Sequence, residues 1–223
     1  MSRKLVIVGN TAFAEIAYEY FTHDSPYDVV GFSVEREWLK EPSLFRLPVV
    51  PFDELPSRFD PDAHDVYVAA TYTQLNRLRA RLADAAKAKG YRLASYVSSR
   101  AFVWPNVEVG EHCFIFEDNT VQPFVRLGRN VVLWSGNHIG HHSRIGDNCF
   151  VSSHVVVSGF VDVGANSFLG VNSAIANDVT IGRDVWVGPH VVVTGDVEAA
   201  AFLKPAPGSV GSKKTTAFFD VDD

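Results

Sequence analysis

The sequence predicts an α/β, Rossmann-like N-terminal subdomain over residues 1–95, a parallel β-helix of hexapeptide repeats over 96–198, and a C-terminal tail over 199–223. Three observations predict this order. Strand-like and helix-like apolar runs alternate through the first part of the chain, as in a parallel α/β sheet. Every sixth residue from Val97 to Val193 is Val, Ile or Leu, without a slip. Glycine follows that aliphatic at positions 110, 128, 140, 146, 164, 170, 182 and 188.

Composition narrows the function classes. With 47% hydrophobic and 21% charged residues the chain has the make-up of a globular protein rather than a disordered or collagen-like one. A net charge of −6 and no Lys/Arg cluster argue against a nucleic-acid binder or membrane-surface protein, which neutralises phosphates with basic patches. After Lys4 the apolar stretch ends before Asn10, too short for a signal-peptide core or a membrane span, so a cytoplasmic protein without membrane insertion is expected. Cys113 and Cys149 have no paired zinc-type spacing, and no metal is expected.

In the N-terminal part, Lys4–Val8 reads as a strand, Gly9-Asn10 as a tight turn, and Thr11–Phe21 as a helix with Phe13, Ile16, Ala17 and Tyr20 at helical spacing. Val29–Val34, Leu47–Pro51 and Asp65–Ala70 are extended, and Thr73–Lys89 is a helix closed by Gly90. The Gly9–Ala14 turn stands where such a sheet meets anionic ligands, at the carboxyl end of the first strand and the start of a helix. It keeps only the first glycine of a dinucleotide fingerprint, so it serves either as a packing turn or as a sugar-nucleotide contact. For the second case the residues at stake are Asn10, Thr11, Phe13 and, past the second strand, Glu35.

In the C-terminal part, a period of six is neither the two of an ordinary strand nor the 3.6 of a helix, and it indicates stacked flat sides with aliphatics inward. Four residues after each aliphatic comes a small or medium residue for the corner, Cys113 and Cys149 among them. Asn119 and Asn137, eighteen residues apart at that corner position, suggest an internal amide ladder. His141 and His142 fall at outward turn positions, where they serve either as solvated surface residues or as a site.

Ile139-Gly140-His141-His142-Ser143-Arg144-Ile145-Gly146, set in an uninterrupted hexapeptide prism after a small α/β domain, resembles the sugar acyltransferases of the sialic acid O-acetyltransferase type. That group includes N-acetyltransferases of nucleotide-linked amino sugars such as bacillosamine and perosamine precursors. The resemblance implies a left-handed triangular prism, acetyl-CoA as co-substrate, a sugar or nucleotide-sugar acceptor, and a homotrimer with active sites between subunits. It implies His141 as catalytic base, with His142 beside it.

Column arithmetic puts Gly159 one coil below His141, where its amide is expected to meet the developing oxyanion. By the same resemblance Val171 and Pro189 line the acetyl-CoA groove, and Lys204-Pro205-Ala206-Pro207 stands near the adenine. Asp118 and Glu117 are the nearest acidic candidates to orient His141. Asp118 and His138 are expected near the substrate, while Trp134, Phe124 and Phe160 are expected on a buried lateral face. The rival expectations are O-acetylation of a sialic acid or other saccharide, a γ-class carbonic anhydrase-like metal site using His154 and His190, and a non-catalytic scaffold prism.

Overall fold

The computed structural model describes residues 3–206, 208, 212 and 218. The N-terminal part is a six-stranded sheet in the order β3-β4-β2-β1-β5-β6. Its strands are β1 (Arg3–Val8), β2 (Tyr27–Val34), β3 (Ser43–Leu44), β4 (Leu47–Pro51), β5 (His64–Val68) and β6 (Arg92–Leu93). All pairings are parallel except β3 with β4, a hairpin turned by Phe45 and Arg46, both at positive φ. The β1 run Leu5–Val8 is buried throughout, as befits a central strand covered on both faces.

Helix α1 (Ala12–His23) covers one face through Phe13, Ala14, Ala17 and Phe21. Helix α3 (Arg77–Ala88) covers the other through Leu82, Ala83 and Ala86, and between them in sequence lies the single-turn α2 (Leu55–Arg58). Helix α3 begins at Arg77 rather than Thr73, because Gln74, Leu75 and Asn76 all take left-handed backbone conformations. That run directs Asn76 into the second part of the molecule, where its amide donates to the carbonyls of Asn166 and Ser167.

The second part is the parallel β-helix that the period of six predicts, with the left hand that the family resemblance implies. Two-residue strands pair in register with the strand one coil on, as in Phe114 with Val132 and Val132 with Phe150. Three stacked sheets form the faces of the prism, and the inward aliphatics make one continuous core from Ile115 to Val193. Glycine after the aliphatic has a steric cause: a Cβ on Gly140 would fall 2.5 Å from the Ser158 carbonyl carbon of the next coil. Strand Phe202–Leu203 pairs with Trp186–Val187 and carries the prism past residue 198.

The three faces differ in what they present outward. One carries Tyr96, Phe114, Val132, Phe150, Phe168 and Trp186, and docks the α/β subdomain through a shared aromatic core. Trp134 belongs to that core, stacked on Phe116 at 4.3 Å and against Phe13 at 5.4 Å, so the α/β subdomain is what covers its face of the prism. A second face carries Glu108, Arg126, Arg144 and Asp162, which form like-with-unlike pairs at 3.3 and 3.5 Å. The third carries Phe102, Thr120, His138, Val156, Ala174 and Val192, and is open and largely apolar.

The corner behind the docked face holds a side-chain ladder that the sequence did not reveal. Asn130, Asn148, Asn166 and Asp184 hydrogen-bond in series at 2.8, 3.0 and 3.1 Å, each one coil on from the last. His112 caps its start: Nε2 accepts the Val68 N–H, which leaves Nδ1–H to donate to Asn130 Oδ1 at 2.7 Å. The fully buried Arg79 of α3 donates to Asn130, Asn148 and Thr71, among neutral acceptors only. Burial accordingly holds its guanidinium down, to about 10. The expected ladder at Asn119 and Asn137 is absent as such, since each amide donates to the Trp134 carbonyl instead of to the other side chain.

Candidate active site

The turn between the open and the charged faces carries His141 and His142. The backbone N–H of His141 donates to Gln122 Oε1 of the preceding coil at 2.9 Å, which pins the turn. The side chain stands over Gly159, where an added Cβ would fall 2.7 Å from His141 Cε1 and 2.9 Å from Nε2. Glycine is therefore required there for the imidazole to lie as it does. His141 Nδ1 and His142 Nδ1 are 3.1 Å apart, so one donates and the other accepts.

His142 is itself held. Its ring stacks on Phe124 of the preceding coil, at 4.6 Å and 27°, and on Phe160 of the following coil, at 4.8 Å and 17°. Phe160 also meets the His141 ring edge-on at 5.1 Å. Phe124 and Phe160 are more than half exposed, and they flank His142 on the prism corner rather than lying on a flat lateral side.

Several sequence expectations meet a different geometry. The Gly159 N–H is not a free donor, because it is bonded to Asn177 Oδ1 at 2.9 Å. Glu117 and Asp118 lie on the next corner, between the docked and open faces, and do not orient His141. There Glu117 accepts the Tyr20 hydroxyl at 2.6 Å, and Asp118 is exposed at a left-handed turn. Phe13 is buried in the interdomain core, packed on Phe114 and Phe116, and is not exposed to meet a ligand.

Val171 and Pro189 lie on that same docked–open corner, one coil apart. They flank the open face from the side opposite His141 and Gly159. Pro205 closes against Gly188 beside them, and Lys204 is exposed; Pro207 lies outside the described residues. His138 sits on the open face in the strand that leads to His141. His154 and His190 lie on the docked–open corner with Asn172 between them, and among the described residues no group of three His, Cys, Asp or Glu is placed to hold a metal ion.

A second candidate site stands at the carboxyl edge of the N-terminal sheet. A cavity of about 480 Å³ is lined by Gly9, Asn10, Thr11, Glu35, Trp38, Thr71 and Thr73, among others. Asn10 Nδ2 donates to the Trp38 carbonyl at 3.1 Å. Arg81 clamps Glu35 through two contacts at 2.7 and 2.9 Å, and that guanidinium holds the Glu35 carboxyl below its usual range. No residue of the His141 corner lines this cavity, so one chain keeps the two sites apart.

Sequence reasoning missed Asn177, Gln122 and the stacking role of the two phenylalanines. Asn177 was within reach of the eighteen-residue column that located Gly159.

The comparisons with known proteins agree with this architecture. The bacterial transferase hexapeptide family (six repeats) matches residues 124–159, the stretch that runs from Phe124 through both histidines to Gly159. The acetyltransferase domain of PglB from Neisseria gonorrhoeae FA1090 superposes with a TM-score of 0.81 at 22% identity, over 90% of this chain and 95% of that one. PerB from Caulobacter crescentus, solved in complex with CoA and GDP-perosamine, gives 0.79 at 25% identity over 89% and 92%. WeeI from Acinetobacter baumannii AYE gives 0.69 at 19% identity over 90% and 95%. No curated protein sequence matched the chain. The chain carries the repeat of the bacterial hexapeptide transferases in residues 124–159 and folds, over nearly its whole length, as these three proteins do.

Proposed function

We propose that this protein is an acetyl-CoA-dependent acetyltransferase that acylates the amino group of a nucleotide-linked amino deoxysugar, for cell-surface polysaccharide or glycan synthesis. The observation that carries the reading is the His141 imidazole poised over the side-chain-free backbone of Gly159. The likeness to PerB, whose structure holds CoA and GDP-perosamine, supports the choice of both substrates. The N-terminal cavity, with Asn10, Thr11 and Glu35 on its wall, supports a nucleotide-bearing acceptor.

In this mechanism His141 Nε2 removes a proton as the amine nitrogen attacks the thioester carbonyl. The N–C bond forms, the C–S bond breaks, and the sulfur leaves to take up a proton as CoA thiol. Gly159 supplies the room beneath the imidazole. Its N–H reaches the developing oxyanion once Asn177 Oδ1 releases it.

A homotrimer completes the site. The open face exposes Phe102, Val156 and Val192, apolar side chains that a neighbouring protomer would cover. Each cleft is then bounded by the His141 corner of one protomer and the Val171–Pro189 edge of the next, with Lys204 and Pro205 at its far end. No helix among the described residues is long and apolar enough to cross a membrane. We assign the reaction to the cytoplasm, where acetyl-CoA and sugar nucleotides are available.

The test is thiol release from acetyl-CoA with a panel of UDP-, dTDP- and GDP-linked amino sugars, set against free sialic acids, for the native chain and His141→Ala. Turnover of an amino sugar nucleotide that falls at least about 10³-fold in the variant is expected. Preference for a hydroxyl acceptor, or an unchanged rate without His141, overturns the reading.

A further inference from the structure

We infer that His142 is a positioning residue, clamped between Phe124 and Phe160 so that its Nδ1 accepts the Nδ1–H of His141 and leaves His141 Nε2 unprotonated for the acceptor amine. This inference rests on the assignment of His141 as base.

Three independent features of the corner support it. The first is the 3.1 Å contact between the two Nδ1 atoms, which permits only one proton between them. The second is the stack itself: with rings above and below, the His142 imidazole keeps the one plane in which its Nδ1 faces His141.

The third is backbone strain. Nearly every corner turn of the prism has a residue at left-handed φ, and the occupants are almost all Asn, Asp or His, which tolerate it. Phe124, at φ 65°, and Phe160, at φ 58°, are the bulky exceptions, and they stand directly before and after His142 in its column. A bulky side chain in that conformation persists only where its surroundings hold it there, and such outliers cluster at functional sites. The chain accepts the strain at the two positions that sandwich His142.

The chemical consequence concerns the tautomer. With His142 protonated on Nε2 and accepting at Nδ1, His141 must carry its proton on Nδ1. The proton leaving the amine then arrives at Nε2, and the imidazolium that forms keeps its Nδ1–H bond to His142. A neutral ring does here what a carboxylate does in other catalytic imidazoles.

Two substitutions separate this role from a packing role. His142→Phe keeps an aromatic in the stack and removes the acceptor; His142→Asp removes the stack and keeps an acceptor. With acetyl-CoA and the amino sugar nucleotide that the native chain turns over, His142→Phe is expected to lower kcat about 10- to 100-fold at unchanged KM. His142→Asp is expected to stay within a few-fold of native. Long-range ¹H–¹⁵N spectra of the free protein should show His141 protonated on Nδ1 in the native chain and shifted toward Nε2 protonation in His142→Phe. Circular dichroism verifies folding of both variants.

The reverse order, with His142→Phe active and His142→Asp impaired, overturns the inference, as does a native His141 protonated on Nε2. Loss of activity in His141→Ala together with an unaffected His142→Phe rejects only the positioning role. An active His141→Ala rejects the base itself.

Discussion

His141 rests on the backbone of Gly159, with Cε1 only 2.7 Å from where a Cβ would stand. Carbon atoms in contact prefer about 3.5–4.0 Å, so a methyl group there displaces the imidazole. The Gly159 backbone lies outside the left-handed range, so alanine strains nothing else. Gly159→Ala is expected to lower kcat about 10²-fold, since a shift of an ångström at a reacting group has that effect. The melting temperature should move by no more than a few degrees. Steady-state kinetics beside a thermal melt checks both; full activity removes Gly159 from the site.

Asn177 competes for the Gly159 N–H at 2.9 Å from an exposed position. If that N–H is the oxyanion donor, the thioester must first take it from the amide oxygen. Exchanging one neutral hydrogen bond for another involves about 0.5–1.5 kcal/mol. Asn177→Ala is therefore expected to raise kcat/KM for acetyl-CoA roughly two- to tenfold. A fall instead would mean that Asn177 holds the amide in its working orientation.

His112 predicts an acid-sensitive domain contact. Burial first of all pushes this imidazole down from 6.5 to about 3, so it is neutral in the fold. The unfolded chain protonates it near its ordinary value, and the folded chain resists. Its contribution is fully present above pH 6.5 and is lost as the pH falls toward 3, with a slope of about 1.4 kcal/mol per pH unit for one proton. Urea unfolding between pH 4 and pH 6 should show that slope diminished by about this amount in His112→Gln, which is less stable at neutral pH through the loss of the Val68 contact. Parallel native and variant curves would contradict it.

Val156 lies at the middle of the open face, exposed beside His138 and Ala174 in its column. Light scattering on a sizing column is expected to give three times the 24.6 kDa chain mass for the native protein. Val156→Asp should dissociate it to a folded monomer with little transferase activity, because each proposed cleft needs two protomers. A native monomer that turns over at the same rate would refute the shared cleft.

How much was legible in the sequence follows from where each interaction lies along the chain. The prism repeats locally, so adding eighteen to 141 reaches Gly159 without a structure, and the coil spacing holds throughout the described repeat. The same arithmetic reaches Asn177 and pairs His142 with Phe124 and Phe160. Spacing alone does not say that an amide is already bonded or that rings stack, because both depend on side-chain rotamers.

Phe13 and Trp134 differ from their sequence reading for another reason. Phe13 opens a helix beside the Gly9 turn and Trp134 points outward from the prism, and only the docking of the α/β subdomain against one face brings them together, 5.4 Å apart. Arg79 reaches Asn130, 51 residues away, and no sequence pattern links them.

The sequence by itself determined the two-part fold, the register of the prism and the column that holds His141 above Gly159. A strict period of six sets which residues point inward, and the eighteen-residue coil that the family resemblance implies sets which of them stack. The tertiary structure alone decided which of three chemically distinct faces is covered, which carboxylates are too far away to serve His141, and that a second histidine stands in their place. Those outcomes depend on contacts between residues distant along the chain, and there shape and hydrogen-bond geometry select the partner rather than spacing.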